Sequence, residues 1–85
     1  MYLTRICEKV EYKLIQGSLE KDVTDIIYDS RKVSPHTVFV CMVGAVTDGH
    51  KYIGDAVKKG ASAIVVERAD EAEDVPEDVT VIQVR

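Results

Sequence analysis

The sequence predicts one small α/β domain, with a mixed, mostly parallel sheet and flanking helices. Short apolar segments recur along the 85 residues and have the length of strands. Residues 38–66 follow a strand, helix, strand pattern, which is typical of a βαβ crossover between parallel strands. A hydrophobic content of 46% is sufficient for a core, so we expect a folded domain rather than a disordered chain.

The N-terminal segment predicts a helix and then a strand. Leu3, Ile6, Cys7 and Val10 are spaced as on one face of a short amphipathic helix. The next segment, Tyr12–Gln16, has the composition of a strand and is followed by a glycine.

The middle of the chain predicts two further strands. Residues 23–30 alternate so that Ile26, Tyr28 and Ser30 share one face. Residues 31–37 form a turn, because the proline at its centre disfavours helix for the residue before it. Residues 38–43 are all apolar, which indicates a central strand covered on both faces.

The C-terminal half predicts a helix and two strands. A helix over residues 49–59 places Ile53, Ala56 and Val57 on its buried side and Gly60 just after its last turn. Two mostly apolar segments predict strands at residues 61–67 and 79–84.

Negative charge is concentrated in one connector. Residues 67–78 contain seven carboxylates and one arginine, so the net charge of −4 leaves +2 on the rest of the chain. A small anionic ligand is therefore admissible, whereas no basic cluster interleaved with aromatic residues favours nucleic acid. No apolar run approaches the roughly 18–20 residues of a membrane span, so we expect a soluble, cytoplasmic protein without a membrane partner.

The cysteines and tyrosines are interpreted as structural residues. Cys7 and Cys41 have no His or Cys nearby at metal-ligand spacing, so we predict reduced core thiols and no metal site. Tyr28 and Tyr52 are interpreted as packing residues.

Two polar stretches are expected to meet at one corner of the sheet. Asp29, Ser30 and Arg31 end the second strand, and the glycine loop at residues 44–49 follows the third. Ligands of open α/β sheets bind beyond the carboxyl ends of strands, so this corner is the candidate binding site. Two interpretations stay open: a plain turn and βα loop, or a serine hydroxyl and free loop N–H groups that hold a ligand.

The glycine loop has the beginning of a Walker A motif but not its end. In GAVTDGHK, four residues separate two glycines between a predicted strand and a predicted helix. A Walker A motif requires lysine directly after the second glycine and then Ser or Thr. His50, Lys51 and Tyr52 follow instead. No Ser or Thr hydroxyl is therefore positioned for magnesium, so we reject this motif. No catalytic residue is predicted.

Seven stretches of the chain form one pattern: DIIYDSRKV at 25–33, VFVC at 38–41, Gly44, DGHKYI at 48–53, Ala56, GA at 60–61 and AIVVE at 63–67. In this order and spacing, they resemble the N-terminal domain of the Mur ligases. Within that family, Tyr28 before Asp29 and the short N-terminal helix favour the MurE ligases over the MurF ligases. One departure is the turn at residues 34–37, where the family commonly has a Pro-Gly-Asp-like sequence.

The resemblance implies a substrate-binding role. The first domain of a Mur ligase holds the UDP part of a UDP-MurNAc-peptide, and the positions that match its contacts are Tyr28, Ser30, Ala45, Val46 and Thr47. A MurE ligase adds the third amino acid to UDP-MurNAc-L-Ala-D-Glu in peptidoglycan synthesis.

The resemblance also implies that catalysis lies elsewhere. In this family, ATP and Mg²⁺ bind in a central and a C-terminal domain, which residues 1–85 do not include. We therefore expect a substrate-binding domain that has no cofactor of its own and is inactive as a fragment. The alternatives are the equivalent MurF domain and a stand-alone α/β binding module. A native reading frame that continues past residue 85 favours either ligase over the stand-alone module.

Overall fold

The structure, a computed structural model, describes residues 2–8, 10–41, 52–67 and 75–84. The described residues form one sheet with helices on its two faces. In chain order, the elements are α1 (Leu3–Cys7), β1 (Tyr12–Gln16), β2 (Asp25–Ile27), a 3₁₀ turn (Ser30–Lys32), β3 (Thr37–Val40), α2 (Ile53–Lys58), β4 (Ala63–Val66) and β5 (Thr80–Val84).

The sheet is mixed and mostly parallel, as predicted. Its strand order is β1-β5-β4-β3-β2. Strands β2 to β5 are parallel to one another, whereas β1 is antiparallel to β5. Helix α2 connects the parallel strands β3 and β4, so the predicted βαβ crossover is confirmed. The carboxyl ends of the four parallel strands therefore share one edge of the sheet.

Side chains of the central strands alternate between two cores, one on each face. The consecutive residues Val38 and Phe39 are 0% and 1% exposed, so β3 is covered on both faces, as predicted. The α2-side core includes Phe39, Ile53, Ala56, Ile64, Val66 and Val81. The α1-side core includes Leu3, Cys7, Val38, Ala63, Val65 and Ile82.

Helix α1 is shorter than the sequence pattern predicted. Leu3 and Cys7 are buried as expected, and Ile6 packs against the α1-side core. Val10 is 50% exposed, so its predicted place on the apolar face is wrong. The helix has five residues and ends with Glu8 as its C-cap, before the turn that would bring Val10 to the core.

Within the described residues, no helix has the length and apolarity needed to cross a membrane.

Strand β2 is also shorter than predicted, because it ends at Ile27. Asp29 caps the 3₁₀ turn, and its carboxylate accepts a hydrogen bond at 3.0 Å from the backbone N–H two residues later. Such a local bond competes with continuation of the strand. The predicted common face of Tyr28 and Ser30 is therefore wrong: Tyr28 is 68% exposed, whereas Ser30 is 8% exposed.

The elements of the C-terminal half lie within their predicted segments. Strands β4 and β5 fall inside residues 61–67 and 79–84, and α2 falls inside residues 49–59. Residues 42 and 43 of the predicted third strand, and 49–51 of the predicted helix, lie outside the described ranges.

Gly60 lies just after the last turn of helix α2, as predicted, and its backbone is left-handed. Gly60 has a φ of +95°. Its N–H donates to the carbonyl of Val57 at 3.1 Å, and the N–H of Ala61 donates to the carbonyl of Ala56 at 3.1 Å. These two bonds form a Schellman motif. A Cβ on Gly60 would lie 3.1 Å from the Cα of Pro35, so the helix end packs closely against the turn that precedes β3.

Alanine substitutions at two glycines should change stability in opposite directions. Gly60→Ala should lower the free energy of unfolding by about 1 kcal/mol or more, because an L-residue is strained at positive φ and its Cβ would crowd Pro35. Gly54→Ala should raise it by about 0.5–1 kcal/mol, because open space surrounds Gly54 in α2 and alanine favours helix. Urea denaturation of both variants measures these effects. Changes of the same sign would contradict the assigned helix end.

Candidate functional site

The candidate site lies at the carboxyl edge of the parallel strands. Tyr28 directly follows β2, and Cys41 directly follows β3. The N–H of Cys41 donates to the carbonyl of Val65 at 2.8 Å, so the chain stays in register with β4 as it leaves the sheet. The glycine loop comes next in the sequence. Three of the predicted contact residues lie outside the described residues: Ala45, Val46 and Thr47.

The other two predicted contact residues, Tyr28 and Ser30, lie close together in the chain but differ in environment. Tyr28 is exposed, so its interpretation as a packing residue is wrong, and Tyr52 is 36% exposed. Ser30 is buried at the start of the 3₁₀ turn. An exposed aromatic ring near an anchored serine suits a ligand that combines a planar base with polar edges.

Asp29 and Arg31 form an ion pair on either side of Ser30. The Arg31 guanidinium donates to the Asp29 carboxylate through Nη2 at 2.8 Å and through Nε at 3.1 Å. These side-chain bonds, followed by the bond from the Arg31 N–H, lower the pKa of Asp29 from 3.8 to about 2. The same pairing raises the pKa of Arg31. Because the Arg31 side chain is 86% exposed, the pair shapes the turn locally and adds little to global stability.

A lysine at the end of α2 reaches the same turn. The Lys59 ammonium donates to the backbone carbonyl of Ser30 at 3.0 Å. The same oxygen accepts a bond at 3.3 Å from the N–H of Val33. Sequence reasoning missed this contact, and no sequence signal could have found it, because the acceptor is a backbone oxygen 29 positions away. The turn is thus held both within itself and against α2.

The described residues do not fit a magnesium site. Within these ranges, no three His, Cys, Asp or Glu side chains are grouped so that they could hold a metal ion. No step that depends on ATP or magnesium is therefore assigned to them. Cys7 and Cys41 are buried free thiols, as predicted. Burial raises the pKa of Cys41 to about 12 and also raises that of Cys7, so both remain protonated at neutral pH.

The opposite edge of the sheet contains a cleft that the sequence did not predict. Its volume is about 550 Å³, and its lining includes Lys21, His36, Ser62 and Asp78. The Lys21 ammonium donates to the carbonyl of Ser62 at 3.1 Å and to the carbonyl of Asp78. Burial lowers the pKa of Lys21. These bonds fasten the connector that precedes β2 to the segments that begin β4 and β5, which is a structural role.

The described residues form an open α/β sheet, a fold in which ligands usually bind beyond the carboxyl ends of the strands. A sequence model described as "Mur ligase family, catalytic domain" matches residues 22–85, which is well over half of the chain. The chain belongs to the Mur ligase family.

Relatives at substantial identity have one enzyme name in common, UDP-N-acetylmuramoyl-L-alanyl-D-glutamate–2,6-diaminopimelate ligase. The protein from Clostridium tetani is 39% identical over 85 residues, which cover 100% of this chain and 18% of that protein. The Clostridium perfringens protein is 42% identical over 85 residues, which cover 100% of this chain and 17% of that protein. The Clostridioides difficile protein is 48% identical over 67 residues, which cover 79% of this chain and 14% of that protein. The chain thus spans less than a fifth of the length of these relatives.

Solved structures with a similar fold include MurF ligases. The Thermotoga maritima MurF ligase in complex with ADP matches with a TM-score of 0.60 and 32% identity over 74% of this chain and 14% of that chain. A MurF from Acinetobacter baumannii matches with a TM-score of 0.60 over 73% of this chain and 13% of that chain. The identity of the latter is 22%, so it supports the fold alone.

The carboxyl group of Asp29 should titrate near pH 2 in the wild-type chain and at a clearly higher pH, still below 3.8, in Arg31→Gln, because this variant loses the side-chain bonds that are the largest cause of the low pKa but keeps the backbone N–H bond. Since the folded pKa lies below 3.8, the stabilisation is present above that pH and is lost as the pH falls toward 2. Lys32→Gln is the matched control, because Lys32 is the smallest of the causes and its removal should change the titration much less. NMR of the side-chain carboxyl carbon measures all three curves. Equal curves for the two variants would contradict the ion pair.

Proposed function

We propose that the chain is the N-terminal, substrate-binding domain of a MurE-type, ATP-dependent ligase of peptidoglycan synthesis. Its substrate would be UDP-MurNAc-L-Ala-D-Glu, to which the complete enzyme adds the third amino acid in the cytoplasm. The main support is the shared enzyme name of relatives that are 39–48% identical to this chain. The polar carboxyl edge of the sheet supplies a suitable place for the ligand.

In this proposal, the domain holds the UDP part of the substrate. The exposed ring of Tyr28 is available to the base, and the hydroxyl of Ser30 can both donate to and accept from a uracil edge. The remaining contacts are assigned to residues 45–47 of the glycine loop. Because Ala45 and Val46 have no polar side chain, their contacts would be made by backbone or apolar groups.

The proposal assigns amide-bond formation to other parts of the ligase. ATP and Mg²⁺ would bind in the central and C-terminal domains, which are also the proposed partners of this domain. The 85-residue domain alone would then bind substrate without turning it over.

A MurF ligase is the second candidate, favoured by the 32% identity to the Thermotoga maritima MurF ligase. The higher identities to the diaminopimelate ligases favour MurE. The full-length enzyme separates the two, because the MurE proposal expects it to add diaminopimelate or another single amino acid, whereas MurF adds a dipeptide. A native reading frame that stops after residue 85 would instead favour a stand-alone binding module.

Backbone-amide NMR of the 85-residue chain tests the binding role. Titration with UMP should shift the amides of residues 28–31 and 44–49, with a dissociation constant of roughly 1 mM, because most of the protein that would enclose the substrate is absent. Ser30→Ala should weaken binding about threefold to tenfold, the effect of one hydrogen bond. Ser34→Ala, an exposed serine in the same connection, is the control and should leave binding unchanged.

The titration has a clear negative outcome. Unmoved amides in the wild-type chain at several millimolar UMP and at several millimolar UDP-MurNAc-L-Ala-D-Glu would contradict a preformed UDP site on this domain. Equal weakening by Ser30→Ala and Ser34→Ala would contradict the contact assigned to Ser30.

A further inference from the structure

The connection between β2 and β3 is tied to the end of α2 at two points. At its start, the carbonyl of Ser30 accepts the bond from the Lys59 ammonium at 3.0 Å. At its end, the N–H of His36 donates to the carbonyl of Gly60 at 3.3 Å. Between these points, Pro35 packs closely against Gly60. Consecutive residues of the helix end thus hold both ends of one connection.

Lys59 has a fixed base from which to reach Ser30. Its backbone N–H donates to the carbonyl of Asp55 at 3.1 Å, and the Schellman motif at Gly60 fixes the chain that follows. A hydrogen bond from an ammonium group is stronger than one between neutral groups. Lys58 is adjacent and also exposed, but among the described residues the lysine that donates to the turn is Lys59.

The bonds between Asp29 and Arg31 connect residues within the turn and do not connect the turn to α2. The Asp29 and Arg31 pair spans two positions and closes the turn on itself. It therefore sets the shape of the turn but not its place relative to the rest of the domain. Two hydrogen bonds join this connection to the end of α2, one from Lys59 and one to the carbonyl of Gly60. The bond from Lys59 is the one made to Ser30 itself.

We propose that Lys59 is a positioning residue for the ligand site. Its ammonium holds the backbone of Ser30 against α2 and thereby sets where the Ser30 hydroxyl is presented, without touching the ligand. This assignment rests on the proposed role of Ser30 in binding the UDP part of the substrate.

Three variants of the 85-residue chain test the proposal. Lys59→Met removes the ammonium and keeps a long side chain, Lys59→Arg keeps a cationic donor, and Lys58→Met removes the same charge from the adjacent position. In the ligand-free chain, Lys59→Met should shift the amides of residues 30–33, whereas Lys58→Met should leave them in place. Both Met variants should stay folded, and Lys59→Met should unfold at a slightly lower urea concentration than Lys58→Met, because it loses one hydrogen bond.

The binding readout is titration of the same variants with UMP. Lys59→Met should bind about threefold to tenfold more weakly than Lys58→Met, and Lys59→Arg should recover most of the wild-type affinity. Recovery by a second cationic donor is not expected if residue 59 contributes only side-chain bulk.

The outcomes separate this inference from the proposed function. If the wild-type chain does not bind UMP, the proposed function fails and the binding part of this inference fails with it. If the wild type binds and Lys59→Met binds as tightly as Lys58→Met, the positioning role is overturned while the proposed function stands. Unchanged amides of residues 30–33 in Lys59→Met would overturn the positioning role irrespective of binding.

Discussion

Burial of the central strands on both faces is the constraint on which the rest of the structure depends. Consecutive residues of β3 and β4 are buried alternately in the α2-side and α1-side cores. Polar groups are costly in such strands unless they are paired, so they are concentrated where the strands end. Because β2 to β5 are parallel, their carboxyl ends form one edge of the sheet and their amino ends form the other. The carboxyl edge has the exposed Tyr28 and the anchored Ser30, and the amino edge has the Lys21 cleft.

In the turn after β2, at the carboxyl edge of the sheet, local bonds and tertiary bonds have different effects. The carboxylate of Asp29 ends the strand and, with Arg31, closes the turn within three residues. Lys59 and Gly60 then hold the connection against α2. Local bonds therefore determine the shape of the turn, whereas helix α2 determines its position. This division explains why Tyr28 is exposed while Ser30, two residues later, is buried.

Sequence reasoning predicted the fold well, whereas the ligand contacts that it assigned stay predictions. Hydrophobic period and length identified the five strands and two α-helices of the described residues, because burial on one or two faces leaves a direct pattern. The pattern failed at Val10 and Ser30, where a short helix and a local carboxylate bond ended the elements early. The contact of Lys59 was not predictable, since a backbone carbonyl has no sequence signature. For residues 45–47, which lie outside the described ranges, the predicted contacts stay predictions.

Membership of the Mur ligase family and the polar carboxyl edge support the proposal that this domain holds the UDP part of a UDP-MurNAc-peptide at the end of β2. A crystal structure of the chain with UDP-MurNAc-L-Ala-D-Glu would test it most directly. The uracil should lie beside Tyr28 and within hydrogen-bond distance of Ser30. A nucleotide bound instead in the cleft near Lys21 and His36, at the opposite edge of the sheet, would contradict it.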